Sequence, residues 1–457
     1  MQRRDFIKLS TVGPLLSATV PWAIGADVPT KVTGTIEERA RTIPVASQAD
    51  VVVCGAGPAG VCAALGAARK GANTLLLETH GSLGGIWTTG LLSYILDFSN
   101  KKGLMQEIVE RASKREGRAV TRKGTGTNAF DPEVLKIVLE ELCIEAGVQI
   151  QLHTRVCATV KEGGRLTHVI TESKSGREAV SGQVFVDCTG DGDVGAQAGC
   201  HFEVGHPETG ATQPMSMIAL VTGIVADEVQ AYFRDSDSED WAKPKDALKA
   251  EMTRGGRSPS YGKPSLFRMR DGLFILMSNH EYGVLGTNVR DLTQATLRAR
   301  RELNEQINGL RSLGGPWKNI RLVATPAQIG VREGRRIRGL YTVSAGDLRD
   351  GRAQPDAVCK ATFPIDVHST NAAKEKGIEK ASFRAKPYDI PLRSLIAKDV
   401  QGLLMAGRCI SGDFIAHSSY RVTGNAAAMG EAAGKTAALA AKTNRLPEEV
   451  KFEELKG

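Results

Sequence analysis

The stretch VVVCGAGPAGVCAA occupies residues 51 to 64, and the short run LLLE follows at residues 75 to 78. The apolar run from Ala49 to Cys54 is typical of a strand buried inside a parallel sheet. An Ala-rich helix is expected over Gly60 to Lys70, and a second buried strand over Thr74 to Leu77. A strand, a glycine turn, a helix and a strand in this order form a βαβ unit. The stretch therefore predicts an α/β fold built around a parallel sheet.

The glycines of this turn have the spacing and the context of a dinucleotide-binding motif. Gly55, Gly57 and Gly60 directly follow the first strand and open the helix. Gly55 permits the tight turn, Gly57 lets backbone N–H groups approach a pyrophosphate, and Gly60 lets the helix pack against the strand. Pro58 and Ala59 complete the loop, and the helix N-terminus offers unpaired donors to the phosphates. A dinucleotide site is predicted, with a glycine turn that binds no ligand as the alternative.

An acidic residue accompanies the motif at the end of the second strand. Glu78 follows LLL there, and a carboxylate at this place can accept hydrogen bonds from both ribose hydroxyl groups. It would also repel a 2′-phosphate, so the pattern disfavours NADP.

The N-terminus has the pattern of an export signal. Arg3 and Arg4 precede Phe6 and Lys8, and a mildly apolar run leads to small residues before a possible cleavage site after Gly25. This pattern resembles a Tat signal and predicts that residues 1–25 engage the Tat export machinery, giving a periplasmic or otherwise exported protein. The apolar run is too short for a stable membrane span. A disordered cationic tail is the alternative interpretation.

Charge and cysteine content exclude several classes of site. The net charge of +8 is spread over 457 residues without a dense Lys/Arg run, so no nucleic-acid partner is predicted. None of the eight cysteines forms a Cys-x-x-Cys pair, which disfavours zinc ribbons and dithiol redox motifs. We therefore predict no metal site.

Changes of composition along the chain predict an interrupted nucleotide-binding domain. A charged stretch rich in Ser, Gly and Pro near residues 234–260 is expected to form a lid-like loop. The predicted segments are a signal at 1–25, a linker at 26–47, the first part of the nucleotide-binding domain at 48–201, an inserted substrate domain at 202–315, and, at 316–457, the remainder of the substrate domain with the return to the first domain.

Five stretches carry a resemblance to a known family and span residues 49 to 440. They are VVVCGAGPAGVCAA with LLLE, GSLGGIWTTG, VFVDCTGDGDVGAQAG, IGVREGRRIRG, and IPLRSLI with GLLMAGRCISG and YRVTGNAAAMGEAAG. The chain resembles the FAD-dependent oxidoreductases that are distantly related to fumarate reductase flavoproteins. The resemblance implies a glutathione-reductase-like FAD-binding Rossmann domain with an inserted α+β substrate domain.

The resemblance also implies how FAD is held. A double glycine passes the flavin side of the pyrophosphate, a second turn contacts the adenine and ribose, and the last helix points its N-terminus at the flavin. An NAD enzyme does not need this last helix, so FAD is favoured. The residues implied, together with those of the first turn and Glu78, are Gly84, Gly85, Thr189, Gly190, Asp191, Gly407, Gly424 and Asn425.

Candidate catalytic groups come from the same resemblance. Arg421, in YRV, is either a cation for an anionic or carbonyl-bearing substrate or an ion pair that supports its loop. His368 follows Asp366 in FPIDVH and is either a general base or a structural histidine.

Further candidates depend on sequence proximity or on a family match alone. His417 and Tyr420 are named for their closeness to Arg421. Relatives commonly carry a histidine where this chain has Phe414, which puts the transfer of a family mechanism in doubt. Arg332 and Arg336 match family arginines and are equally compatible with a domain interface.

The sequence predicts an enzyme that takes a hydride from a small polar substrate to N5 of FAD, with reoxidation by an unidentified acceptor. Fumarate-reductase-like reduction of an activated double bond, a non-catalytic flavin-binding protein and an NAD-dependent dehydrogenase remain as alternatives.

Overall fold

A computed structural model describes residues 34–121, 124–234, 240–374 and 376–456 of the chain. Two compact units are distinguished, Met1–Thr42 and Ile43–Gly457. In the first unit, the described residues 34–42 are exposed and have no regular secondary structure. The predicted signal at 1–25 lies outside the described residues. The predicted domain boundaries stay predictions.

The second unit alternates helices and strands. The α-helices of the described residues are α1 Pro58–Arg69, α2 Leu104–Lys114, α3 Pro132–Glu145, α4 Asp193–Gln197, α5 Lys243–Arg254, α6 Val289–Ser312, α7 Ala345–Asp350, α8 Phe414–Tyr420 and α9 Thr423–Lys442. The strands are β1 Val45–Cys54, β2 Thr74–Leu77, β3 Arg118–Val120, β4 Gly126–Phe130, β5 Gln149–Gln151, β6 Arg155–Glu162, β7 Arg165–Ser173, β8 Gly176–Asp187, β9 Phe202–Glu203, β10 Ile218–Thr222, β11 Ser265–Arg270, β12 Leu273–Met277, β13 Arg321–Ala324, β14 Arg336–Ile337, β15 Ala357–Ala361, β16 Tyr388–Pro391 and β17 Leu403–Met405.

A seven-stranded sheet with the order β5-β2-β1-β8-β7-β6, to which β17 adds beside β8, carries the glycine turn. Strands β5, β2, β1, β8 and β17 are parallel, with Val51 opposite both Thr74 and Val184. Strands β6, β7 and β8 form an antiparallel meander. The predicted βαβ unit and the parallel sheet are therefore confirmed. Because β2, β17 and the end of β1 from Val51 to Cys54 are buried on both faces, their apolar runs are continuous.

The contact between α1 and α9 is unusually close for two helices. A Cβ built on Gly430 would lie 2.0 Å from the carbonyl oxygen of Ala59, and one on Gly434 would lie 1.9 Å from that of Ala63. Only glycine permits such an approach of two backbones. The contact joins the first α-helix of the described residues to the last, and both belong to the same hydrophobic cluster as β1 and β8.

A second, antiparallel sheet has the order β11-β12-β10-β13. Alternation along β10 separates its two faces: Ala219 and Val221 pack in one cluster with α5 and α6, whereas Ile218 packs in another with Leu91 and Ala129. The face of β10 that carries Ile218 is therefore turned toward Leu91 and Ala129. The apolar run Leu273–Met277 forms β12, the second strand in the order of this sheet.

Two local expectations differ from the structure. Residues 243–254 of the predicted lid-like loop form α5, because Leu248 and Met252, four residues apart, bury one face of a helix that has a proline in its first turn. Strand β1 begins at Val45, inside the predicted linker, because β8 is long enough to pair with it there.

The close helix contact gives a prediction for stability. We expect Gly434→Ala to lower the free energy of unfolding by roughly 1–3 kcal/mol, because the added methyl group must push the two backbones apart. Urea unfolding of the variant and the wild type measures this change. Gly346→Ala in α7 is the control, since its Cβ would meet nothing closer than 3.4 Å. Equal losses in both variants would contradict the steric explanation.

Candidate cofactor site and active site

The glycine turn leaves open space in front of α1. Gly57 is the N-cap residue and provides no side-chain cap to the first turn. A Cβ built on Gly57 would meet no heavy atom within 4 Å, whereas one on Gly55 would lie 2.5 Å from the carbonyl oxygen of Cys188 and one on Gly60 1.8 Å from that of Gly55. The free donors of this turn and the space before them fit a pyrophosphate.

Glu78 fixes the turn to the end of β2. Its Oε2 accepts a hydrogen bond from the N–H of Ala56 at 2.7 Å, and its Oε1 accepts one from the N–H of His80 at 2.8 Å. The side chain is buried, yet each carboxylate oxygen keeps a lone pair for a further donor. This arrangement fits a carboxylate that also accepts ribose hydroxyl groups.

The double glycine lies directly against the phosphate turn. The N–H of Gly84 donates to the carbonyl oxygen of Ala56 at 2.8 Å, and a Cβ on Gly85 would lie 2.8 Å from Cα of Gly57. A residue with a side chain at Gly85 would therefore push into the phosphate turn.

A second turn, Thr189–Gly190–Asp191, follows β8 and is held by the buried carboxylate of Asp187. Asp187 accepts hydrogen bonds from the N–H and the hydroxyl of Thr189 and from the N–H of Gly195. Asp191 is paired with Arg408 at 2.7 Å. Burial raises the pKa of Asp187 to about 6, although its three hydrogen bonds act in the opposite direction.

The first turn of α9 meets the first turn of α1 at Gly407. A Cβ on Gly407 would lie 3.2 Å from Cβ of Ala59 and 3.8 Å from Cβ of Ala426. Gly424 donates its N–H to the carbonyl oxygen of Leu96. Asn425 is fully buried, and among the described residues neither atom of its amide has a hydrogen-bond partner. A buried amide without partners is costly, so this position suits a ligand that supplies both a donor and an acceptor, as the flavin ring does.

A cavity of about 490 Å³ adjoins the N-terminus of α9. Val422 and Thr423 line it on the side of α9, and Ile218 and Met277 line it on the side of the antiparallel sheet. The remaining polar lining includes Asp366, His368, Arg332, Arg408 and Arg421. The cavity therefore brings two of the four predicted catalytic residues, Arg421 and His368, next to the predicted flavin position.

Asp366 joins these two residues in one cluster. Its Oδ2 lies 3.2 Å from Nε2 of His368 and 3.3 Å from Nη2 of Arg421. Gln213 supports the cluster from behind, because its Oε1 accepts hydrogen bonds from the N–H of His368 and from Nη2 of Arg421. In the described chain, no hydrogen bond reaches the other carboxylate oxygen of Asp366, Oδ1.

The charges in the cluster follow from its surroundings. Burial raises the pKa of Asp366, but His368 and the Arg421 and Arg332 guanidinium groups together hold it below its usual range. Burial and the Arg332 charge lower the pKa of His368 to about 4. At neutral pH Asp366 is therefore a carboxylate and His368 a neutral ring.

His417 and Tyr420 are not brought to the cavity, so the structure does not support their predicted catalytic roles. Both are fully buried in α8, and neither lines the cavity. The hydroxyl of Tyr420 donates to the carbonyl oxygen of Ile410 at 3.0 Å, which is a structural contact. Closeness to Arg421 in sequence was misleading, because α8 turns these side chains into the core while Arg421 ends the helix.

Several residues around the cluster were not named from the sequence. His280 and Tyr261 lie near His368, with ring centroids 4.9 Å and 5.6 Å from it. His280 comes three residues after the end of β12. A polar residue just after a buried strand is a pattern that could have identified it from the sequence. No local pattern marks Gln213. Lys245 lines the cavity from α5, and it was not identified because its stretch of sequence was expected to form a loop.

Two absences concern the described part of the chain only. No group of three or more His, Cys, Asp or Glu side chains there could hold a metal ion. No helix within these ranges is both long enough and apolar enough to cross a membrane. All eight cysteines are among the described residues, and all are free.

The contacts of Glu78 give a prediction for cofactor binding. We expect Glu78→Gln to weaken FAD binding by about tenfold or more, because an amide cannot accept at both positions and charge-assisted hydrogen bonds are lost. Titration of the cofactor-free protein with FAD, followed by flavin fluorescence, measures the affinity. Glu110→Gln, on the exposed surface of α2, should bind FAD as the wild type does. Unchanged affinity in Glu78→Gln would show that this carboxylate does not hold the cofactor.

The raised pKa of Asp187 gives a prediction for pH dependence. Between about pH 4 and pH 6 the folded state binds more protons at this residue than the unfolded state, so its contribution to stability falls as the pH rises. Asn does not titrate, so the stability of Asp187→Asn relative to the wild type should increase by on the order of 2 kcal/mol over this range. Urea unfolding at several pH values measures the difference. A difference that stays constant would contradict the assignment.

A family match is found over most of the chain. Residues 50–457 match the family described as FAD dependent oxidoreductase. No curated protein sequence matches the chain. Similar solved structures include a geranylgeranyl bacteriochlorophyll reductase-like protein from Thermoplasma acidophilum, with a TM-score of 0.46 and 13% identity over 90% of this chain and 82% of that one. Another is p-nitrophenol 4-monooxygenase from Pseudomonas putida, with a TM-score of 0.45 and 11% identity over 90% of this chain and 83% of that one.

The family assignment rests on the match over residues 50–457. That match covers almost the whole second unit, including the glycine turn, the cluster at Asp366 and α9. The chain belongs to the FAD dependent oxidoreductase family and is an enzyme that uses FAD.

Proposed function

We propose that this enzyme transfers a hydride between a small organic substrate in the cavity and the flavin of FAD. One observation carries the proposal: the Asp366 cluster and the first turn of α9 line the same cavity. A substrate between them would have a proton acceptor on one side and the flavin position on the other. The glutathione-reductase-like subtype of the fold is part of the proposal, as implied by the sequence resemblance.

FAD, when bound, supplies the acceptor of the hydride or, in the reverse direction, its donor. The free carboxylate oxygen of Asp366 is placed to accept the proton of a substrate hydroxyl or amine as the neighbouring C–H bond breaks. His368 and Arg421 hold the other oxygen of Asp366 and fix its direction. The exact reverse would reduce a carbonyl or an imine, with the proton returned from Asp366 to oxygen or nitrogen. Reduction of an activated double bond would be a separate reaction, in which the reduced cofactor would supply the hydride for one carbon and a protonated Asp366 would donate the proton to the other.

The neutral His368 orients the carboxylate. Because Oδ2 of an ionised Asp366 can only accept, Nε2 of the neutral ring carries the proton and donates its N–H to Oδ2. Asp366 is the residue proposed to touch the substrate, and His368 is a positioning residue.

We also propose, from the N-terminal sequence pattern, that the enzyme is exported through the Tat machinery and works outside the cytoplasm with an unidentified electron acceptor. Tat export suits an enzyme that binds its cofactor before it crosses the membrane. The location of a tagged full-length chain, compared with that of Arg3→Lys combined with Arg4→Lys, tests this part separately.

The proposed reaction can be tested through the flavin absorbance. Under anaerobic conditions, a substrate found among hydroxy acids, amines and sugars should bleach the visible absorbance of the holoenzyme. We expect Asp366→Asn to slow the bleaching by about 10²–10⁴-fold, the usual contribution of a positioned base, while the FAD content stays unchanged. Asp350→Asn, a change at a half-exposed position on α7, is the control and should react at the wild-type rate.

Reduction of an activated double bond needs its own measurement. Holoenzyme reduced with dithionite should be reoxidised anaerobically by an activated alkene if the enzyme works as a reductase. Should neither assay change the flavin spectrum with any compound, the hydride-transfer proposal is wrong and a non-catalytic flavin-binding role is left.

A further inference from the structure

The wall of the cavity is mostly hydrocarbon. Ile218, Phe267 and Met277 line it from the antiparallel sheet, and Leu96 and Phe363 line it from the side near α9. Such a wall binds the apolar body of a ligand by removing it from water, and it offers little to a ligand that is polar all round. The small polar substrate expected from the sequence does not match this lining.

The charged part of the lining is strongly one-sided. Asp366 supplies the negative charge of the described lining, whereas five side chains are cationic: Arg234, Lys245, Arg332, Arg408 and Arg421. Arg408 is paired with Asp191, and Arg421 is paired with Asp366. Each of these two cations therefore already has a carboxylate partner.

Arg332 and Lys245 differ from these pairs. Nη1 of Arg332 donates to the carbonyl oxygen of Pro214 and to the hydroxyl of Ser216, both at 2.7 Å and both neutral. Nζ of Lys245 lies 4.1 Å from the ring centroid of Trp241. For neither cation does a carboxylate of the described chain lie within 4.0 Å. Burial and the Arg421 charge lower the pKa of Arg332 to about 10, so it stays charged at neutral pH.

The surroundings of Lys245 lower its pKa. Burial, together with the charges of Arg234 and Lys263, lowers its pKa to about 8. A buried cation that lies near other cations is destabilised unless an anion pairs with it. An anionic ligand would relieve the same cost at Arg332.

We propose that the substrate is an amphipathic organic acid, with its carboxylate bound by Arg332 and Lys245 and its hydrocarbon body against the apolar wall of the cavity. This inference rests on the proposed function and names its substrate class. The carboxylate of Asp366 repels the carboxylate of the ligand from its own position, so it favours the orientation in which a hydroxyl or amine of the ligand meets Asp366.

Binding without turnover tests this inference. The probes are 3-phenylpropionate, its neutral amide and acetate, each titrated into the oxidised holoenzyme by calorimetry. We expect 3-phenylpropionate to bind at least about tenfold more tightly than the amide, which lacks the charge, and than acetate, which lacks the apolar body. Equal affinities for the acid and the amide would overturn the proposal.

Substitutions assign the effect to the two cations. Lys245→Gln and Arg332→Gln should each weaken binding of 3-phenylpropionate by about tenfold and leave binding of the amide unchanged. The matched controls are Lys249→Gln, one turn later on α5, and Arg338→Gln, both exposed and outside the cavity lining. Loss of affinity for acid and amide alike would assign the two residues a general structural role and overturn the proposal.

The FAD content of each variant is measured first, and Lys245→Gln provides the decisive result if Arg332→Gln does not fold. Because no electron is transferred in these titrations, their outcome is independent of the bleaching assay. Absence of acid-selective binding in an enzyme that still bleaches would overturn the substrate class alone, whereas acid-selective binding without any flavin redox change would overturn the hydride transfer alone.

Discussion

The backbone contact between α1 and α9 is the constraint on which the site depends. Gly430 and Gly434 let the carbonyl oxygens of Ala59 and Ala63 approach the last helix, and Gly407 lets the returning strand pass beside both first turns. A larger residue at these points would separate the two helices. As a result, two helix N-termini from opposite ends of the chain open on one site. Each carries partial positive charge, which suits the phosphates of FAD at α1 and negative charge on the flavin at α9.

This concentration of positive charge determines the protonation states of the groups that line the cavity. Arg408 and Arg421 add full charges beside the first turn of α9, and Arg332 adds another. In that field the carboxylate of Asp366 remains ionised although it is largely buried, and His368 remains neutral. An ionised Asp366 can act as a proton acceptor, although its lowered pKa makes it a weaker base than an ordinary carboxylate. The same field would attract an anionic ligand and repel a cationic one.

The sequence predicted the parts of the molecule that depend on local patterns. The glycine turn and its flanking strands can be predicted from neighbouring residues alone. The same holds for the N-cap of α3, where Asp131 accepts a hydrogen bond from the N–H of Glu133. The cluster at Asp366 was not, because Gln213 contacts His368 across 155 residues and no local rule identifies such a partner. The family resemblance pointed to Arg421 and His368, which line the cavity, whereas proximity in sequence pointed to His417 and Tyr420, which do not.

The unpaired polar atoms at the cofactor site link its folding to FAD. Both amide atoms of Asn425, Nε of Arg421 and Nε of Arg408 are buried without partners in the described chain. Each such group costs roughly 1–3 kcal/mol unless a ligand or water satisfies it, and folded proteins contain few of them. FAD held at the first turn of α9, as proposed, would satisfy these atoms and remove a cost that the chain alone must carry. A ligand that binds only the folded state stabilises it, so FAD in that position would stabilise the fold as well as supply the redox chemistry.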